Sequence, residues 1–368
     1  MTAHVTPQEP AARPPATPFD LRAREGEMDR QAIHMDQGLA WCPEFRATRS
    51  MADYPSRKAQ LVRALHLGQI PPSARAAEIL FHSILSFQGE RWQVFNEPPA
   101  DWTLLVILGR QALVKAGFGT GPAEEVLRRA RAAEAGPAAV AAQPPLALPT
   151  VTGGTDWMYV DEACAAAVAP SADRLGALLG RAGIRLGWEV RPVTGLWELF
   201  VYGAVEEGAA RARALVSELR RRGVRRIAAL EGGTVWFWRF FLPEIGVRHG
   251  FPVVDVLETA GKLEAGGRTF LAAGSFRARA LGQAALVNRL VEPEKRAHTV
   301  TIWQRPICAE HELIGFPAGT ERLIFEDALE EIRASGCERI IAFDAHAYRK
   351  LRAARIPEQV AYFTEVIA

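Results

Sequence analysis

Cysteine is scarce in this chain. Four occur in 368 residues, at Cys42, Cys164, Cys308 and Cys337, and no two stand in a Cys-x-x-Cys pair. That spacing argues against a disulfide framework and against a standard structural zinc site, and it fits a reducing cytoplasm. No apolar run approaches the roughly 18 residues of a spanning helix; LLVIL at 104–108 has the length of a core segment. The opening MTAHVTPQEPAARPPATPFD has no charged stretch followed by an apolar one, so no secretory signal is expected. GxSxG, the Walker A lysine motif and HExxH are missing as well. So is a strong charge of one sign: the formal net charge is +2. The arginines of LVSELRRRGVRR and ALEEIRASGCER sit beside glutamates, as on solvated helix faces, and no nucleic-acid partner is expected.

What is present begins with 49% hydrophobic residues, enough for a sizeable core and, at this length, two domains. Residues 1–27, rich in Pro, Ala and Arg, read as a disordered tail. Residues 28–125 read as helices, among them SRKAQLVRALHLG, with Ser56 as N-cap and Gly68 as stop. An Arg/Ala helix then decays into AAEAGPAAVAAQPPLALPT, so that 126–153 reads as a linker. From 154 to 368 short β-type runs alternate with amphipathic helices, which predicts an α/β fold with largely parallel sheets.

That region also repeats itself. A shift of 113 residues lays ALVSELRRRGVRRIAALEGGTVW over ALEEIRASGCERIIAFDAHAY, pairing Gly223 with Gly336, Ile227 with Ile340 and Glu231 with Asp344. Helix, Gly stop, strand, acidic residue and next helix occur twice, which predicts two pseudo-symmetric α/β halves, about 154–265 and 266–368.

On these residues the chain resembles the cysteine-rich (CCG) domain family of the heterodisulfide reductase B subunit. The family includes the iron–sulfur subunits of glycolate oxidase and anaerobic glycerol-3-phosphate dehydrogenase. WMYVDEACAA corresponds to the family's first strand with its cysteine, here Cys164. RPVTGLWELFVYG stands in place of the first Cys-Cys-Gly and keeps Gly195, and IAALEGGTVWFW stands in place of Cys-Pro-x-Cys, with Glu231 and Thr234 at the cysteine positions. In the second half FLAAGSFRARALG has Ser275 for a cysteine and keeps Arg279. There PICAEHELIGFPAG retains Cys308, and AFDAHAYRKL carries Asp344 and Ala347 at ligand positions. AIHMDQGLAWCPEF has the spacing of a ferredoxin cluster run but only Cys42 before Pro43, so 28–125 resembles a degenerate ferredoxin-like domain. The resemblance implies an oxidoreductase subunit whose ancestral 4Fe-4S clusters are lost, with vestigial positions Cys42, Cys164 and Cys308. It implies as partner a flavoprotein or iron–sulfur oxidoreductase subunit, a peripheral association with a membrane at most, and no catalytic residues.

The remaining polar residues leave two readings open. Glu231, Arg279, His311, Asp344 and His346, with Cys308, could form a reused pocket for a small molecule or a single zinc or iron ion. Alternatively Glu231 and Asp344 cap the helices that follow them. Arg277 and Arg279 in AGSFRARALG could hold an anion at a helix start. Nine tryptophans are many for this length, and Trp41, Trp92 and Trp197 stand near former ligands, as space-filling would require. TVWFWRFF at 234–241 reads either as buried helix or as an exposed partner surface.

Overall fold

The computed structural model describes residues 16–31, 41–87, 89, 102–133, 144–307 and 318–368. Among them are two three-stranded sheets, each wholly parallel. One has the order β1 (Asp156–Tyr159), β2 (Arg226–Ala229), β3 (Val253–Asp255); the other has β4 (Thr269–Ala272), β5 (Arg339–Ala342), β6 (Gln359–Tyr362). The α/β class expected from the alternation of runs is therefore present. Asp156 pairs with Arg226 and Thr269 with Arg339, and each partner of the second pair lies 113 residues beyond its counterpart in the first.

Alternation of side chains along the strands sets the layering. Successive residues of a strand point to opposite faces, and here both faces are apolar, as in parallel sheets covered on both sides. Met158, Ala228, Leu271 and Ile341 share one cluster, so the two sheets enclose a common central core. On the outer face of the first sheet, Trp157, Tyr159 and Ile227 join a cluster that takes in the N-terminal helices. On the outer face of the second, Phe270, Ala272, Ile340 and Ala342 pack under the helix Ala318–Ala334 through Ala328, Leu329 and Ile332.

Order begins earlier than the composition suggests. Residues 21–27, expected to belong to a disordered tail, form a 3-10 turn, Leu21–Arg24, and the start of a helix, Glu25–Gln31. Asp20 caps the turn, accepting from Arg22 N at 2.9 Å, and the buried side chains of Leu21 and Met28 anchor it to the core. Two apolar anchors among charged residues are enough, although they barely change the average composition. The helix Pro55–His66 starts two residues ahead of expectation, with Tyr54 in the N-cap position, because Pro55 takes its first turn and leaves Ser56 inside. Its stop at Gly68, at φ +67°, is as expected.

Arg110, in the helix Trp102–Lys115, ties the N-terminal helices to the α/β part. Its guanidinium is fully buried and donates to the carbonyls of Leu80 (3.1 and 3.0 Å), Ser83 (2.7 Å) and Val201 (2.8 Å). Burial pulls its pKa down to about 10, so it stays charged near neutrality. Gly203 lies against the same helix: at φ +86° it would place a Cβ 2.7 Å from the carbonyl carbon of Arg110. Among the described residues no helix is long and apolar enough to cross a membrane.

Gly203→Ala is therefore expected to cost about 2–4 kcal/mol in urea unfolding, through left-handed strain plus the backbone clash. Gly68→Ala, at similar φ but with nothing within 4 Å, isolates the strain and should cost about 1 kcal/mol.

Candidate ligand pocket at the strand ends

Three strands of the two sheets end in the same way. β1 runs out into Asp161, β2 into Glu231 and β5 into Asp344, and each acid precedes a helix, Glu162–Val168, Gly232–Trp236 or Ala345–Ala353. The free N–H groups of a helix start favour an oxygen acceptor there. Asp161 accepts from Cys164 N at 2.7 Å and Asp344 from Ala347 N at 2.9 Å, as caps do. Glu231 departs from the capping expectation. It makes no cap bond to its own helix; its Oε1 accepts instead from Ala345 N at 2.7 Å and from the Tyr362 hydroxyl at 2.8 Å. Its extra methylene carries the carboxyl past its own helix and across to the second sheet.

These ends border a cavity of about 320 Å³. Its inner surface includes Glu231, Asp344, Tyr159 and Phe237, all buried, with half-buried Trp197 beside them. Asp161 and His346 also line it, 3.8 Å apart (Oδ2 to Nε2), while Arg129, Thr194 and Arg349 lie exposed at its edge. The position at the carboxyl ends of parallel strands is where open α/β sheets hold ligands.

The electrostatics of the floor follow from crowding of acids away from water. Burial above all, then the charges of Asp344 and Asp161, push the Glu231 carboxyl up to about 8. Burial likewise raises Asp344, against the opposing pull of His346. Cys164, 1% exposed, lies 3.9 Å from the Tyr362 hydroxyl; burial and the nearby Glu231 hold it as a thiol, well above the usual range. Such a thiol is an inert core group.

Of the residues expected to share a pocket, the structure brings together Glu231, Asp344 and His346. Arg279 lies elsewhere, buried, donating to the carbonyls of Ile302 (3.0 Å), Ser86 (3.1 Å) and Gln304 and to Ser275 Oγ (2.7 Å). With its donors spent on carbonyls, it is a structural clamp. Arg277, the other arginine of the expected anion motif, is buried in an ion pair with Asp255. Cys308 and His311 lie outside the described residues, as does Trp92. Asp161 and Tyr362 were missed. The first could have been found, since it follows a strand run and precedes a helix just as Glu231 and Asp344 do; Tyr362, closing β6, carries no such mark.

Cys42 sits as N-cap of the helix Pro43–Thr48, within 3.3 Å of Glu44 Oε2, and burial raises its pKa. Around it is a buried polar group of its own: Glu44 accepts from Ile84 N at 2.8 Å, and Lys58 donates to the His82 carbonyl at 2.7 Å. A four-iron cluster needs about four thiolates converging on one point. The two described cysteines of the expected cluster positions lie in separate places, Cys42 beside Glu44 and Cys164 beside Tyr362, and the donors around them do not fit such a cluster. Among the described residues no three His, Cys, Asp or Glu side chains form a group able to hold a metal ion.

The aromatic segment resolves as core. Trp236, Phe237, Trp238 and Phe241 are buried, with Phe240 exposed. A π-helical turn over Phe237–Phe241 permits this density. Trp197 packs edge-on against Trp236, Phe237 and Phe241 at 5.1–5.7 Å. Trp41 does not fill a void: it is 43% exposed and packs on Trp303 at 5.5 Å.

Comparison with known proteins finds no matching family model, no similar curated protein and no similar solved structure.

The folded chain holds the Glu231 proton to about pH 8, whereas an ordinary glutamate releases it near 4.5. The stabilisation from this raised pKa is complete below 4.5 and is lost as pH rises through 8. Glu231→Gln keeps an acceptor for Ala345 and Tyr362 but no titration. Its melting temperature should gain on the parent from pH 5 to about pH 8 and then level off, followed by circular dichroism; a constant offset would refute the assignment.

Proposed function

We propose that this chain is a cluster-less relative of the heterodisulfide reductase B-like iron–sulfur subunits, acting as a structural or regulatory subunit of a flavin-linked oxidoreductase complex. One observation carries the reading. Gly195, Glu231, Thr234 and Asp344, which stand at motif positions of that family in the sequence, line a single cavity together. Losing a cluster leaves a volume that must be refilled or persist as a void. Here acids that bind helix starts, and the aromatic side chains of Trp197 and Phe237, surround what is left of it. The shared 113-residue offset of the strand pairs β1–β2 and β4–β5 supports an internal duplication in which the strand-end acids Glu231 and Asp344 stand at matching positions. The N-terminal helices, in this reading a degenerate ferredoxin-like domain, keep a contact surface without an electron wire.

The same cavity favours a second reading, in which the vacated space serves as a small-molecule site. Its size and its mixture of aromatic walls with a few convergent polar groups are those of a ligand pocket.

Anaerobically purified protein is expected to contain neither iron nor acid-labile sulfide in stoichiometric amount, and affinity purification from the native host should recover a flavoprotein with it. About four irons and four sulfides per chain would overturn the cluster-less reading, and recovery of the protein alone would overturn the subunit reading.

A further inference from the structure

The strand-end cavity carries acids and bases side by side. Asp161, Glu231 and Asp344 line it together with His346, Arg129 and Arg349. Several of these groups are already engaged within the protein. His346 Nε2 lies 3.8 Å from Asp161 Oδ2, Arg129 pairs with Glu125 at 3.5 Å, and Arg349 has a partner of its own. Glu231, pushed up to about 8, keeps its proton at neutral pH and adds no charge. A charged ligand would have to compete with pairs that the chain has made for itself, and desolvating its charge gains little in return.

Fixed hydrogen-bonding groups beside aromatic walls are what the cavity offers. Glu231, 5% exposed, accepts from Ala345 N and the Tyr362 hydroxyl on Oε1. Asp344, 7% exposed, accepts from Ala347 N on Oδ1. A carboxyl group has about four acceptor positions, so these bonds set the planes of both groups without filling them. Protonated Glu231 has an O–H to give as well, and the imidazole and guanidinium groups of the lining are donors. A hydroxyl both donates and accepts. A neutral molecule with several hydroxyls therefore meets both kinds of group at once and buries no net charge. Trp197, Tyr159 and Phe237 add the apolar part of the lining. The C–H groups of a saturated ring, polarised by neighbouring oxygens, are weak donors that suit the negative face of an aromatic ring. A volume of about 320 Å³ takes one six-membered ring with its substituents.

We propose that the strand-end cavity binds a neutral ring polyol, a monosaccharide or a cyclitol, with its hydroxyls on the carboxyls of Glu231 and Asp344 and its C–H groups against Trp197. The proposal rests on the reading of this cavity as a small-molecule site and names the class of molecule. It leaves the internal pairs of the lining in place, since a hydroxyl adds to a carboxylate or a guanidinium that already has a partner.

Saturation-transfer NMR on the purified full chain reads weak binding and serves as the test. The probes, at millimolar concentration, are glucose, galactose, mannose and myo-inositol, with glucosamine, glucuronate and 2-phenylethanol beside them. At least one neutral polyol should take saturation, most strongly at its ring C–H protons, and the tightest of them tells a sugar site from a cyclitol site. Asp344→Asn keeps an oxygen for the helix cap and should weaken that polyol about tenfold, as the loss of one hydrogen bond to a charged group does. Trp197→Ala should weaken it at least as much and Trp197→Phe far less, with melting temperatures showing which variants are folded. Tighter binding of glucosamine or glucuronate than of glucose would mean selection by charge and overturn the proposal. Affinity for 2-phenylethanol equal to that for the best polyol would overturn it too, as would polyol binding that neither Asp344→Asn nor Trp197→Phe alters. Saturation of the charged sugars or the alcohol alone would leave a small-molecule site that is not a polyol site. Silence from every probe would sink the polyol proposal and the small-molecule reading together.

Discussion

The Glu231 carboxyl is the hinge of this architecture. It sits at the end of a strand in the first sheet, yet the groups it binds, the amide of Ala345 and the hydroxyl of Tyr362, belong to the second. A buried acid so placed has no cheap alternative: removed from water, it must either keep its proton or find donors, and it does some of both. The cavity exists because β1, β2 and β5 bring their ends to this one carboxyl, and its acidity follows from the same convergence.

A second constraint works at a distance from the first. Arg110 and Arg279, each fully surrounded, spend their guanidinium donors on backbone carbonyls. They satisfy acceptors at helix ends and loops that would otherwise be stranded in the interior. Arginine suits this task because its donors fan out in a plane and it remains charged under any physiological condition. In the same chain, arginines on helix faces pair with nearby glutamates, as Arg128 does with Glu125 and Arg222 with Glu218, so the residue type alone says nothing of its role.

Much of the fold could be read from the sequence. Alternating β-type runs and amphipathic helices predict the parallel sheets, and the 113-residue shift relates β2 to β5. Strand-end acids were legible for the same reason: Glu231 and Asp344 stand where a helix start demands an acceptor. What could not be read was reach. Asp344 caps its own helix and Glu231 does not, and the one-methylene difference that decides this has meaning only once the second sheet is in place. Arg279 was misassigned for a related cause, since a Gly-Ser turn followed by arginines looks the same whether the guanidinium faces an anion or a ring of carbonyls. The early order at Leu21 was hidden because two buried side chains scarcely alter the average character of a segment rich in Pro and charge.

The shared central core has one more consequence. Because Met158, Ala228, Leu271 and Ile341 meet in a single layer, each sheet serves as the lid of the other. Neither has a face that water could tolerate if its counterpart were peeled away. A nascent chain emerging from the ribosome therefore holds its first sheet half-uncovered until the last hundred or so residues arrive, and during that interval it depends on chaperones or on speed.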